Sequence, residues 1–349
     1  MGIEQNPELD EPRDDADIEL PARRSKSRSR STVMFIISMV LLAGAGYFVY
    51  SATDGLDGVW DSVRSSPWWM IVLIVIGPMG NHVSVALCLQ ALQSRHGRVG
   101  IVEMYVLVGS AWLFNYMPMR PGLIGRIGYH KSVNKIRMRD SLESSIWSGI
   151  LAGIANCVMV VVALVMMQLS EYGWSIVLPL VSVLVMFLAS SMMPSRRTRL
   201  MMLALAYRQI DVIVWLGRYW LAFTVLGLEM SVADIAMISA VSQLASLMPL
   251  TGSGIGFREW GVGLTASVGG HAMSTAMASD LINRAAETLV VVPVGLICTG
   301  LVARHWKKIN DAKCVDRGAA DQLAKEDAGA DADDEDQSGN TSEQEPTIG

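Results

Sequence analysis

The stretch Met248-Pro-Leu-Thr-Gly-Ser-Gly-Ile-Gly-Phe-Arg-Glu259 separates two apolar runs of membrane character, and its reading decides the fold. Glycines free the backbone to turn and to approach a neighbour closely. A helix that breaks inside a bilayer leaves amides and carbonyls unpaired, which is tolerated only where protein or a polar cavity surrounds the break. This break ends in Arg258 and Glu259, two charges that hydrocarbon penalises. The segment therefore predicts a polar function inside a membrane protein.

Outward from it, the chain of 349 residues is 51% hydrophobic, with its apolar residues gathered into repeated runs. Runs near 33–50, 68–92, 141–169, 175–193, 209–228, 235–249, 257–270 and 281–303 read as helical spans. No barrel-length segment alternates with period two. The expected fold is all-α: a polytopic membrane helix bundle of about eight spans, with two Pro/Gly-broken helices.

The net charge of −5 hides a strong asymmetry. Residues 1–22 and 311–349 hold 20 of the 33 acidic residues, whereas 23–310 hold 24 Lys and Arg against 13 Asp and Glu. Arg23–Arg30, Arg95, Arg98, Arg196, Arg197, Arg199, Arg304, Lys307 and Lys308 fall in loops of one side. Asp54, Asp57, Asp61, Glu171, Glu229, Asp234 and Asp280 fall on the other, with Arg64 the lone base. The positive-inside rule then places both termini in the cytoplasm and the chain in the cell membrane as a multi-pass protein. The loop 119–140 is basic as well, so the apolar run 101–117 is expected to turn back or lie at the interface rather than cross.

Three regions follow: a polar tail over 1–32 with a basic end, a transmembrane region over 33–306, and an acidic tail over 307–349. The tails lack the large apolar residues a core needs and read as disordered. The run 33–50 reads as an uncleaved anchor rather than a signal peptide. Four scattered cysteines imply neither disulfide nor zinc, and the five histidines make no metal-ligand spacing. No cofactor and no nucleic-acid partner is expected.

A second break, Asn115-Tyr-Met-Pro-Met-Arg-Pro-Gly-Leu-Ile-Gly-Arg126, follows another interrupted apolar run. Pro118 lies 131 positions before Pro249, and Gly122 lies 134 before Gly256. Paired breaks at matching places in two halves point to a transporter's binding site, the alternative being two unrelated kinks. Each break offers Gly-rich amides and a helix N-terminus to an anion, and Arg120, Arg126 and Arg258 add guanidinium forks suited to phosphate. Glu259 either orients Arg258 or complements the helix dipole. Arg284 and Glu287 share a helix face and either close the same polar cavity or form an interhelical pair. Arg208 and Asp211 share a face too and read as a structural pair, leaving Arg218 without a partner.

The order of these residues resembles the transmembrane domain of lysylphosphatidylglycerol synthases, also found as stand-alone flippase-like proteins. Asn115, Pro118, Arg120, Gly122 and Arg126 carry the first motif. Pro249, Gly252, Gly254, Gly256, Arg258 and Glu259 carry the second and more specific one, and Arg284 the third. The resemblance covers roughly 33–305. It implies lipid binding and movement between leaflets, with these residues and Glu287 as the binding set. The family's Glu after the first-motif glycine is replaced by Leu123 here, and the family's soluble aminoacyl-transferring domain is absent. The chain is thus expected to be no enzyme, its partner being an anionic phospholipid or glycolipid headgroup. The competing expectations are a scaffold that presents lipid to, or recruits, a cytosolic or membrane enzyme, and a lipid headgroup transferase.

Overall fold

The structure, a computed structural model, describes residues 36, 39, 40, 42–51, 57–115, 121–169, 173–247, 254 and 256–338, with side chains described as far as 306 apart from 57, 58, 174 and 175. Among the described residues every regular element is helical. A helical stretch over 42–51 (α1) and Asp57–Ser65 (α2) precede Trp68–Gln93 (α3), Ile101–Phe114 (α4), Pro121–Ser132 (α5) and Met138–Gln168 (α6). A 3-10 turn leads to Leu178–Met192 (α7), then Arg196–Val225 (α8), Val232–Leu247 (α9), Phe257–Val268 (α10) and Met273–Ser338 (α11). Four helices are long and apolar enough to cross a membrane: α3, α6, α8 and the Met273–Trp306 part of α11. The chain is an all-α bundle of membrane type. Large apolar side chains such as Leu180, Leu184 and Leu188 on α7 point outward, whereas alanines such as Ala155, Ala204, Ala236 and Ala240 fill the contacts between helices. Small residues at helix contacts with large ones outside are what a lipid solvent favours.

Two halves have the same plan. The series long, short, short, long occurs as α3, α4, α5, α6 and again as α8, α9, α10, α11. Their packing is reciprocal: α3 lies on α8, α4 of the first half lies on α11 of the second, and α9 of the second lies on α6 of the first. Ser66 meets Val225, Gly77 meets Arg218 and Asn81 meets Asp211, so α3 and α8 run antiparallel. Each half is therefore upside down relative to the other, and the two breaks do occupy matching places.

Each break falls between two helices that pack against each other as a hairpin. Gly122 on α5 lies so close to α4 that a Cβ there would stand 2.2 Å from the Ala111 carbonyl oxygen. Gly254, at φ +70, would place a Cβ 2.7 Å from Ser246 Cα on α9. Only glycine permits these approaches. The run 101–117 turns back as its flanking charges predict, since α4 and α5 form an antiparallel hairpin. The runs 235–249 and 257–270 depart from the expectation of two crossings. They form a second hairpin of 16 and 12 residues, about 24 and 18 Å long, short of the roughly 30 Å hydrocarbon layer. Leu113 packs on Gly295, and Arg258 reaches Glu287, so both tips arrive along the middle of α11 from opposite ends.

The turns after α3, α5 and α7 and the start of α6 and α8 share one end, which carries Arg95, Lys131, Arg137, Arg196 and Arg197. The opposite end carries Asp61, Glu229 and Asp234. Two helix starts differ from the sequence reading. α8 begins at Arg196, where Ser195 Oγ accepts the Thr198 N–H at 3.3 Å, rather than at 209. α11 begins at Met273, which puts Asp280 inside the helix instead of in a loop. Its helical backbone continues to Ser338 through a segment read as disordered; residues 1–35 and 339–349 lie outside the described residues.

Candidate functional site

The α9–α10 tip is held by buried charge. Gly256, at φ +87, is the N-cap of α10, and its N–H donates to Glu259 Oε2 at 2.8 Å. Arg284 Nε on α11 donates to the other Glu259 oxygen. Arg258 Nε donates to Asp280 at 3.1 Å and its Nη1 to Glu287 at 3.2 Å. The Tyr219 hydroxyl also donates to Asp280, with Ser242 Oγ on the same hydroxyl. Spacings of four and three put Asp280, Arg284 and Glu287 on one face of α11, where adjacent Arg258 and Glu259 meet them. Arg258 is 2% exposed and Glu259 and Asp280 are 0% exposed.

This ladder extends across the bundle. The Arg218 guanidinium lies 4.1 Å from the Trp215 ring centroid and that of Arg258 5.2 Å from the same ring. Arg218 donates to Asn81 Oδ1 at 3.0 Å and to the Asn283 carbonyl at 3.1 Å. Asn81 Nδ2 donates to Asp211 at 2.7 Å; Arg208 pairs with Asp211 at 3.2 Å and also reaches Ser148 Oγ. Arg208, Arg218, Arg258 and Arg284 thus face Asp211, Glu259, Asp280 and Glu287, four cations against four anions. Gly77 makes room for this, since a Cβ there would lie 2.7 Å from Arg218 Cγ.

The α4–α5 tip is different. A cavity of about 680 Å³ opens between α4, α5 and the end of α11. Its walls are mostly apolar, among them Leu107, Phe114 and Trp306, and among the described residues its one charged side chain is Arg126. Arg126 Nη2 donates to Ser145 Oγ at 2.7 Å, and no carboxylate pairs with it among the described residues. Burial, then nearby Arg208, lower its pKa to about 10, so it stays charged at neutral pH. Pro121 opens α5 as a first-turn proline, and Pro121, Gly122 and Gly125 line the same cavity. Ser110 and Thr299 hydroxyls, 3.0 Å apart, join α4 to α11.

The thirteen sequence-predicted residues divide into two groups that the structure does not merge. Asn115, Gly122 and Arg126 belong to the first hairpin, where Asn115 Oδ1 is buried without a hydrogen bond. Gly254, Gly256, Arg258, Glu259, Arg284 and Glu287 belong to the second. Pro118, Arg120, Pro249 and Gly252 lie outside the described residues. Arg284 and Glu287 pair with α10 rather than with each other. Arg258 was expected to hold a headgroup; its fork is instead occupied by two carboxylates. Asn81, Trp215 and Tyr219 are not among the residues singled out by sequence, although a lone asparagine deep in the run 68–92 is a visible signal, and Asp280, read from sequence as a loop acid, belongs to the ladder. Ser145 and Ser148, three apart on α6, accept from Arg126 and Arg208 respectively, so the two arginines meet the same stretch of α6. Among the described residues no three His, Cys, Asp or Glu side chains gather where a metal could sit. The chain matches no family model, no curated protein and no solved structure.

Proposed function

We propose that this protein binds a phospholipid or glycolipid with an anionic headgroup and moves it between the leaflets of the cell membrane. The observation that carries the reading is the apolar cavity at the first hairpin, where Arg126 is the single charge among the described residues and has no carboxylate partner among them. Arg126 and the first amides of α5 receive the phosphate, while the apolar walls of α4 and α11 receive the acyl chains. Beyond Ser145, the polar network of Ser148, Arg208, Asp211, Asn81 and Arg218 offers a headgroup partners across an otherwise apolar bundle. Two inverted halves with broken helices meeting mid-bundle suit such movement, as does the motif resemblance to the lysylphosphatidylglycerol synthase membrane domain. In this reading the basic end faces the cytoplasm.

The test is reconstitution into vesicles of phosphatidylcholine and fluorescent phosphatidylglycerol, with lipid movement read by dithionite quenching. Arg126→Gln should slow movement at least about tenfold, the loss of one charge-assisted contact, while eluting as a folded species. Unchanged movement in folded Arg126→Gln protein would sink the proposal.

A further inference from the structure

A second cavity, of about 450 Å³, lies at the basic end where α3 finishes and α6 and α8 begin. It is lined by Arg95, His96, Glu143, Arg196, Arg197 and Leu200. Arg95 has a side chain only 3% exposed, yet its Nε and Nη1 have no hydrogen-bond partner. Its Nη2 stands 3.7 Å from Glu143 Oε1, beyond hydrogen-bond range. Arg197 Nη2 stands 3.7 Å from the same oxygen. One carboxylate thus faces two arginines, with Arg196 a third in the cavity wall, and His96 is turned to Asp140 at 3.9 Å. The start of α8, capped by Ser195, adds amides and a favourable dipole for an anion. Glu143 leaves the excess positive charge unbalanced, and a sequestered guanidinium with idle donors calls for an acceptor.

We propose that this cavity is a phosphate-binding site, separate from the Arg126 cavity, that takes the phosphate of an anionic phospholipid in the adjacent leaflet. Two or three guanidinium forks around one pocket match a phosphate's several oxygens better than a single carboxylate's pair. Leu200 gives the pocket an apolar wall, as a headgroup joined to a glycerol backbone needs. Burial, then Arg197, push the Arg95 guanidinium below its ordinary pKa, a strain that a bound anion relieves. A lipid held here ties the ends of α3, α6 and α8 together. The inference stands whether or not the protein moves lipid.

Native mass spectrometry of the full chain in mild detergent tests it, with phosphatidic acid and phosphatidylcholine titrated separately and inorganic phosphate as soluble competitor. The wild type should retain phosphatidic acid over phosphatidylcholine. Arg95→Gln should weaken retention about tenfold or more, whereas Glu143→Gln, which removes the competing carboxylate, should strengthen it. Arg64→Gln, at the other end, should change nothing. Binding of inorganic phosphate without lipid preference assigns the same site to a soluble phosphate. Should Arg95→Gln not fold, Glu143→Gln decides, because Glu143 is 36% exposed and carries no core packing. No preference for phosphatidic acid together with no phosphate binding, or wild-type retention in Glu143→Gln, overturns the proposal.

Discussion

Removing the Arg258 side chain tests the buried ladder most directly. Arg258→Gln deletes two ion pairs, at 3.1 and 3.2 Å, and leaves Asp280 and Glu287 in the bundle interior without the cation each pairs with directly. Breaking a buried pair from one side costs about 3–5 kcal/mol, because the remaining charge has lost its counterion. That corresponds to a factor of roughly a hundred to several thousand in the folding equilibrium. Glu287→Gln alone costs less, about 1–3 kcal/mol, since Asp280 still holds Arg258. In the double variant Glu287 no longer needs a cation, and Asp280 retains the Tyr219 hydroxyl. The pair should therefore be coupled by at least about 1.5 kcal/mol, the double variant being that much more stable than the sum of singles. Unfolding in mixed micelles with increasing dodecyl sulfate, followed by circular dichroism, gives all four values. Additivity within about 0.5 kcal/mol would refute the ladder. Arg258→Lys should fail to rescue, because a single ammonium cannot reproduce the fork that spans both carboxylates.

Gly122→Ala and Gly254→Ala should each prevent their hairpin from closing, since the new Cβ meets backbone at 2.2 and 2.7 Å. The expected result is loss of the monodisperse peak on gel filtration, while Gly125→Ala, with open space around it, elutes normally. His130 gives a pH test: it is 1% exposed, lies 3.0 Å from Asn134 Nδ2, and burial, then Arg126, lower its pKa to about 4. The unfolded chain takes up its proton near the ordinary value of about 6.5, so stability is full above that and falls as pH drops toward about 4. The loss amounts to at most about 3 kcal/mol. His130→Gln should flatten the slope of unfolding free energy across this window, and identical slopes would reject the assignment.

The long helices were legible because a continuous apolar run needs no knowledge of its neighbours. The first hairpin was legible through charge: basic residues on both flanks of 101–117 leave it no opposite side to reach. The second hairpin was not, because 235–249 and 257–270 are apolar and few charges mark their ends. Only the packing of Gly254 on Ser246 reveals that the chain doubles back. Asp280 was misplaced for a related reason. It precedes the apolar run 281–303, and hydropathy marks where a helix becomes greasy, not where it starts. Arg218 found its partners on α3 and α11, more than sixty residues away in sequence, and local spacing carries no information about such contacts.

The two hairpins share a plan but divide the chemistry. In the second, every cation has its anion: Arg258 meets Asp280 and Glu287, and Arg284 meets Glu259. Such balance is what a dry interior requires, and it makes that tip a structural joint in this conformation. In the first, the matching positions carry serine and leucine. Ser145 stands where the second half has Asp280, counted from the starts of α6 and α11, and supplies a hydroxyl instead of a charge. Leu123, three residues before Arg126 on α5, occupies the face from which a carboxylate could have neutralised it. The unpaired charge of Arg126 therefore follows from which residues the first half lacks. An arginine left without a counterion beside an apolar cavity is costly until an anion arrives, and this is the ground for proposing a lipid headgroup there: it would match both the charge and the apolar walls.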